Sequence, residues 1–241
     1  MSAALFWGLV VGSASLAGAF VGYYARLSHR TVGAIMGFGA GTLISALAYD
    51  LIEESYRRGG FVPVSVGFLA GACAFLAANY AVALWGGSDR KCSHTETMGN
   101  PTAIMVGTIL DNIPETMVIG ASLLAGGKVS VVLLAAIFIS NFPEALAGAS
   151  GSKVAGMRAG RTLGLWTLVF VLTGLSSLAG YALFRGLPPS GIAAALAVAG
   201  GGIMAMLADT MIPEAYHDAG PFVALATVAG FLSAFIIGRI G

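Results

Sequence analysis

Two short stretches carry the residues with chemistry to offer. Asp111-Asn112-Ile113-Pro114-Glu115 recurs 29 positions later as Ser140-Asn141-Phe142-Pro143-Glu144. Asp111 and Glu115 are four apart, so on a helix they share one face, with Asn112 beside them. Ser140 and Asn141 stand in the same relation to Glu144. Each proline removes an amide hydrogen, which frees the carbonyl of Leu110 or Ile139. Carboxylate, amide and carbonyl oxygens together suit a hard or borderline divalent cation. The competing view, prolines as plain kinks beside protonated acids, does not account for the motif occurring twice.

The elements that hold these residues are apolar. The chain has 241 residues, 57% hydrophobic and 10% charged. Mean hydropathy is +0.88. Soluble domains carry about 25% charged residues, so an ordinary soluble enzyme and a disordered protein are excluded. A net charge of +1 supplies no field for nucleic acid. Eight segments reach the roughly 20 residues that cross a bilayer: 5–25, 32–52, 62–84, 102–125, 129–149, 162–184, 191–212 and 219–238. The expected architecture is an all-α membrane protein, one transmembrane domain over 1–241. Its apolar runs are continuous, unlike the alternating strands of a barrel. The first run is read as a helix rather than a cleaved signal. Cys73 and Cys92 are too few for a disulfide framework, and Cys73 reads as a packing residue.

Within these spans lie five acids and no Lys or Arg: Asp50, Asp111, Glu115, Glu144 and Asp209. An acid near a helix centre costs roughly 2.5–3.5 kcal/mol, so Asp111, Glu115 and Glu144 together cost on the order of 8–10 kcal/mol. A cation, protons or a wet cavity must offset that. Eight spans place both termini on one side. With the termini outside, inner loops hold Arg26, Arg30, Arg90, Lys91, Lys153, Arg158 and Arg161, against Arg57, Arg58, Lys128, Arg185 and Arg239 outside. That bias favours termini outside the cell (inner) membrane.

A second repeat links the ends of the chain. At an offset of 160, Gly41, Leu47, Ala48, Ile52 and Glu54 match Gly201, Leu207, Ala208, Ile212 and Glu214. Ser15-Leu16-Ala17-Gly18 also returns as Ser177-Leu178-Ala179-Gly180. Spans 1–3 would mirror spans 6–8 around spans 4 and 5. Because spans 1 and 6 run oppositely, the expected form is a 3+2+3 arrangement with inverted repeats, a pattern shared by many transporters.

At these residues the chain resembles the ZIP family of divalent metal transporters. In that family span 4 reads H-N-x-P-E-G and span 5 carries a similar P-E motif. Here they read Asp111-Asn112-Ile113-Pro114-Glu115-Thr116 and Ser140-Asn141-Phe142-Pro143-Glu144-Ala145. The resemblance implies a primary metal site on Asp111, Glu115, Ser140 and Glu144, and a second on Asn112, Asn141 and Glu144. It also implies a homodimer. Asp111 replaces the usual His, Ser140 is a weak ligand, and span 6 has no acid. One principal metal is therefore expected, in an oxygen-rich site that suits Mn²⁺ or Fe²⁺ as well as Zn²⁺. Metal is expected to move toward the cytoplasm by alternating access, helices 1, 4, 5 and 6 moving against 2, 3, 7 and 8. Asp50 and Asp209 are expected along the pathway, and Glu53, Glu54 and Glu214 less so. The loop Cys92-Ser93-His94-Thr95-Glu96 reads as plain solvated chain.

The alternatives are a cation/proton or cation/calcium exchanger, whose P-E motifs lie further apart, and a non-transporting metal-sensing family member. An enzyme is not expected. His-Glu-x-x-His is absent, no histidine falls within a span, and there is no nucleotide-binding P-loop. The expected partners are a divalent metal ion as substrate and the lipid bilayer, with no nucleic acid and no bound cofactor.

Overall fold

The computed structural model describes residues 1–25, 27–82, 84, 101–126 and 130–240, with backbone alone for 101–106 and 125–126. The loop at 92–96 and the basic residues Arg26, Arg90, Lys91 and Lys128 lie outside the described residues. No strand occurs among the described residues. The α-helices are α1 (Ser2–Tyr24), α2 (His29–Ala46), α3 (Glu53–Gly59), α4 (Phe61–Val82), α5 (Pro101–Gly126), α6 (Val131–Val154), α7 (Ala159–Phe184), α8 (Pro189–Met206), α9 (Ile212–Ala219) and α10 (Phe222–Ile240). Two π-helical segments, π1 (Leu47–Ile52) and π2 (Leu207–Met211), join α2 to α3 and α8 to α9.

Among the described residues, seven helices are long and apolar enough to cross a membrane, and the chain is an integral membrane protein on that ground. The α5 helix, with 26 residues, is a further long one. Two spans are longer than the sequence pattern suggests. His29–Gly59 and Pro189–Ala219 each run for 31 residues, beyond the expected ends at 52 and 212. The polar residues that signal an end there are accommodated on the helix surface instead. Glu53 pairs with Arg57 at 2.9 Å and Glu54 with Arg58 at 2.5 Å. What stops both helices is glycine. Gly60 has φ +73° and Gly220 has φ +62°, a left-handed turn that ends a helix with little strain only in glycine. The two stop positions, like the starts of π1 and π2, are 160 residues apart.

Serines set the starts of α2 and α6. The Ser28 hydroxyl accepts from the Thr31 amide and that of Ser130 from the Leu133 amide, satisfying donors that have no partner inside the helix.

The helices sort into two groups by contact. In one, α1 packs on α6 and α7, and α5 packs on α7 and α6. In the other, α2 packs on α10, and α4 on α8. The groups meet where α2 lies on α6 and α5 on α8. Between lipid-bathed helices there is no hydrophobic force to draw them together, so close van der Waals contact must do it, and small residues permit it. A methyl built at Gly71 would overlap the Val198 carbonyl oxygen, and one at Gly201 that of Phe68. The α2–α10 pair repeats this, with Gly41 against Thr227 and Gly230 against Phe38. Gly18 of α1 meets the Phe142 carbonyl, while Gly180 of α7 meets that of Met117. Cys73, expected to pack inside, is exposed on α4, because Gly67 and Gly71 rather than Cys73 take the α8 seam. Met206 and Met211 lie in the apolar core.

Replacing Gly201 by Ala is expected to push α8 off α4 and cost about 1–3 kcal/mol. Gly164, with open space around its Cα, should accept Ala with a stability gain of up to about 1 kcal/mol. Thermal unfolding of both variants in detergent checks the contrast.

Candidate metal-ion site

The two P-E motifs fall on α5 and α6, which pack side by side. Four of the six residues singled out from the sequence are sealed from the surface: Asn112, Glu115, Ser140 and Asn141 are each 4% exposed or less. Asp111 and Glu144 are half-buried. The acids are close enough to interact. Glu115 feels the charge of Asp111. Glu144 feels those of Glu115, Asp111 and Glu214.

The polar atoms of this cluster are poorly served by the protein. Both carboxyl oxygens of Glu115, Oδ1 of Asn112, Oε1 of Glu144 and both polar atoms of Asn141 are buried without a hydrogen-bond partner among the described residues. A buried acceptor left unmatched costs about 1–3 kcal/mol, and more for a charged group. Such a concentration calls for an ion or water. Most of these atoms are oxygens, which suits a cation. The Asn141 amide nitrogen is a donor and needs water or a carboxylate instead. Other groups are already engaged. Asn112 Nδ2 donates to the Thr108 carbonyl at 3.0 Å, and Ser140 Oγ donates to that of Ile137 at 3.0 Å. Ser140 therefore offers only lone pairs.

Among the described residues, no three His, Cys, Asp or Glu side chains converge closely enough to hold a metal by themselves. A metal at this cluster thus requires the amide and hydroxyl oxygens as well, or a closing of the carboxylates around it.

The backbone differs from expectation in one respect. Both α5 and α6 continue through Pro114 and Pro143 as uninterrupted helices. Hydroxyls brace the turn around Pro114: Thr116 Oγ1 donates to the Asn112 carbonyl at 2.8 Å, and Ser176 Oγ of α7 to that of Ile113 at 3.2 Å. The irregular backbone lies instead in π1 and π2, which carry Asp50 and Asp209. Asp50 accepts from Ser130 Oγ at 2.8 Å, at the start of α6. That point is about 20 Å along the helix from Glu144. Asp209 accepts from Asn79 Nδ2 of α4. Asp50 thereby ties π1 to the start of α6, and Asp209 ties π2 to α4.

Glu214, ranked below Asp50 and Asp209 as a pathway residue, is a further acid near the cluster. Its α9 position brings it within electrostatic reach of Glu144. The signal was present, since Pro213-Glu214 is a third P-E pair. Ser130 and Asn79 gave no comparable signal, because their acid partners lie 80 and 130 residues away.

Neither a scan against protein-family models nor a search of curated proteins finds a match to this chain.

Glu115→Gln keeps the size and polarity of the side chain but removes the carboxylate that a cation at this cluster would bind. The metal-free protein should keep its stability to within about 1 kcal/mol, while any stabilisation by added Mn²⁺ or Zn²⁺ should disappear. Melting curves with and without metal test both halves.

Proposed function

We propose that the chain is a ZIP-type transporter of divalent transition-metal ions, of the Zn²⁺, Fe²⁺ or Mn²⁺ class, with the metal as substrate held midway by α5 and α6. The observation that carries this reading is the cluster of unmatched, buried oxygens on the two P-E helices, with no Lys or Arg within two turns of either motif along the chain. Asp111, Glu115 and Glu144 supply charge. Asn112, Asn141 and Ser140 complete the shell.

The wider architecture fits. A 3+2+3 arrangement of inverted repeats is supported by π1 and π2, by the stops at Gly60 and Gly220, and by the matched glycine seams. Under it, α5 and α6 are the central pair. The helix group α1, α5, α6 and α7 corresponds to spans 1, 4, 5 and 6, the block that would carry metal against the other four. Termini outside the inner membrane, and uptake toward the cytoplasm, follow from the charge bias of the loops and the family resemblance.

The two seams between the blocks are unequal. At Gly39 of α2, an added methyl would stand 3.2 Å from the Ser140 Cα of α6. Between α5 and α8 there is instead an apolar cavity of about 250 Å³, bordered by Leu110, Pro114, Ala199 and Gly202. One tight seam and one loose seam suit a block caught at one end of its travel.

The first test is metal uptake into proteoliposomes, with Zn²⁺, Mn²⁺ and Fe²⁺ compared. Wild type should transport, and Glu144→Ala should lower uptake at least about a hundredfold, the loss of roughly 2.7 kcal/mol of ion binding. Absence of uptake by folded wild type refutes the proposal. Ala199→Phe, which fills the loose seam, should stop uptake while leaving metal-dependent stabilisation intact.

A further inference from the structure

A second cavity lies away from the acids, on the lipid-facing seam of α2 and α10. Its volume is about 640 Å³. Its composition changes along its length. Arg30, in the first turn of α2, stands at one end. From there the wall is Ala34, Ile35 and Phe38 on α2, faced by Phe222 and Ala226 on α10. Residues 30 to 38 cover about 12 Å of helix. Arg30 and Thr31 therefore stand at the head of an otherwise apolar trough roughly that long.

Arg30 is exposed and makes no ion pair or hydrogen bond among the described residues. The nearby acid, Asp218 of α9, is turned inward. Its side chain is 2% exposed, and it lies 3.4 Å from His217 Nδ1. Its Cβ lies close to Gly33 rather than on the trough. Phe222 is 70% exposed at the rim, which leaves a large apolar face for a neighbour to cover. A guanidinium binds a phosphodiester through paired N–H donors, and the trough below accepts a chain with no polar groups. Free phosphate would use only the top of this site. An apolar helix would use only the bottom.

We propose that this trough is a binding site for one anionic phospholipid, with the headgroup phosphodiester against Arg30 and one acyl chain along Ala34, Ile35 and Phe38. The site depends on the membrane embedding of the chain and not on metal transport. A zwitterionic lipid offers the same phosphate, but its own ammonium competes with Arg30. One Arg near a lipid surface contributes about 1 kcal/mol toward anionic lipid, which is about a fivefold preference.

The test is native mass spectrometry of the full chain in detergent, titrated with phosphatidylglycerol or phosphatidylcholine of identical acyl chains. Wild type should bind its first phosphatidylglycerol about fivefold more tightly than its first phosphatidylcholine. Arg30→Gln should erase that preference, Ala34→Trp should weaken the first binding of both lipids, and Arg185→Gln should change nothing. Equal binding of the two lipids by wild type overturns the proposal. So does a preference that survives Arg30→Gln, or one that Arg185→Gln abolishes equally, since that would be diffuse surface charge.

Discussion

Glu115 is an acid whose two oxygens are sealed inside a helical bundle with no donor to meet them. Little else in the molecule resembles it, and much of the structure exists to keep it there. Water would remove the penalty, so the helices around it must close tightly. Hydrocarbon would make the penalty prohibitive, so the acid must face other helices. The packing of α5 between α7 and α8, with α6 alongside, satisfies both demands. Asp111 and Glu144 stand within electrostatic reach of it, so under the proposed function one cation would serve all three.

Glycine is the means of closure. Where Gly71 and Gly201 face backbone carbonyls across the α4–α8 seam, and Gly41 and Gly230 do so across α2–α10, helix axes approach more closely than side chains would otherwise allow. These pairs make firm contacts within each helix group. The contacts between the groups are less uniform. They include the close approach of Gly39 to the Ser140 backbone and the apolar gap beside Pro114. Under the alternating access proposed above, this boundary is where one block would slide on the other.

Much of this was legible in the sequence because bilayer physics is strict. A run of some twenty apolar residues has few alternatives to a helix, and the helices observed over 2–24, 61–82 and 131–154 follow the runs marked by hydropathy. The N-x-P-E repeat likewise marked α5 and α6 as the polar pair. What hydropathy concealed were the extensions at α3 and α9. Polarity there marks the water boundary, not the end of the helix, and the Glu–Arg pairs four apart hide that distinction. The π segments were also invisible, since one extra residue in a turn leaves composition unchanged. The prolines misled for another reason. A proline removes one amide hydrogen, which a membrane helix tolerates, and α5 and α6 run on through theirs.

The two 31-residue helices have a further consequence. At 1.5 Å per residue each is about 46 Å long, while the hydrocarbon core is about 30 Å thick. Their neighbour α4 has 22 residues, close to 33 Å. The surplus must tilt within the bilayer or stand above it. Because the residues beyond π1 include Glu53, Glu54, Arg57 and Arg58, the surplus at α3 stands in the headgroup layer as a charged collar. That collar fixes how deep the helix can sink. Membrane thickness thereby becomes a mechanical setting for the height of Asp50, and with it for the Ser130 end of α6.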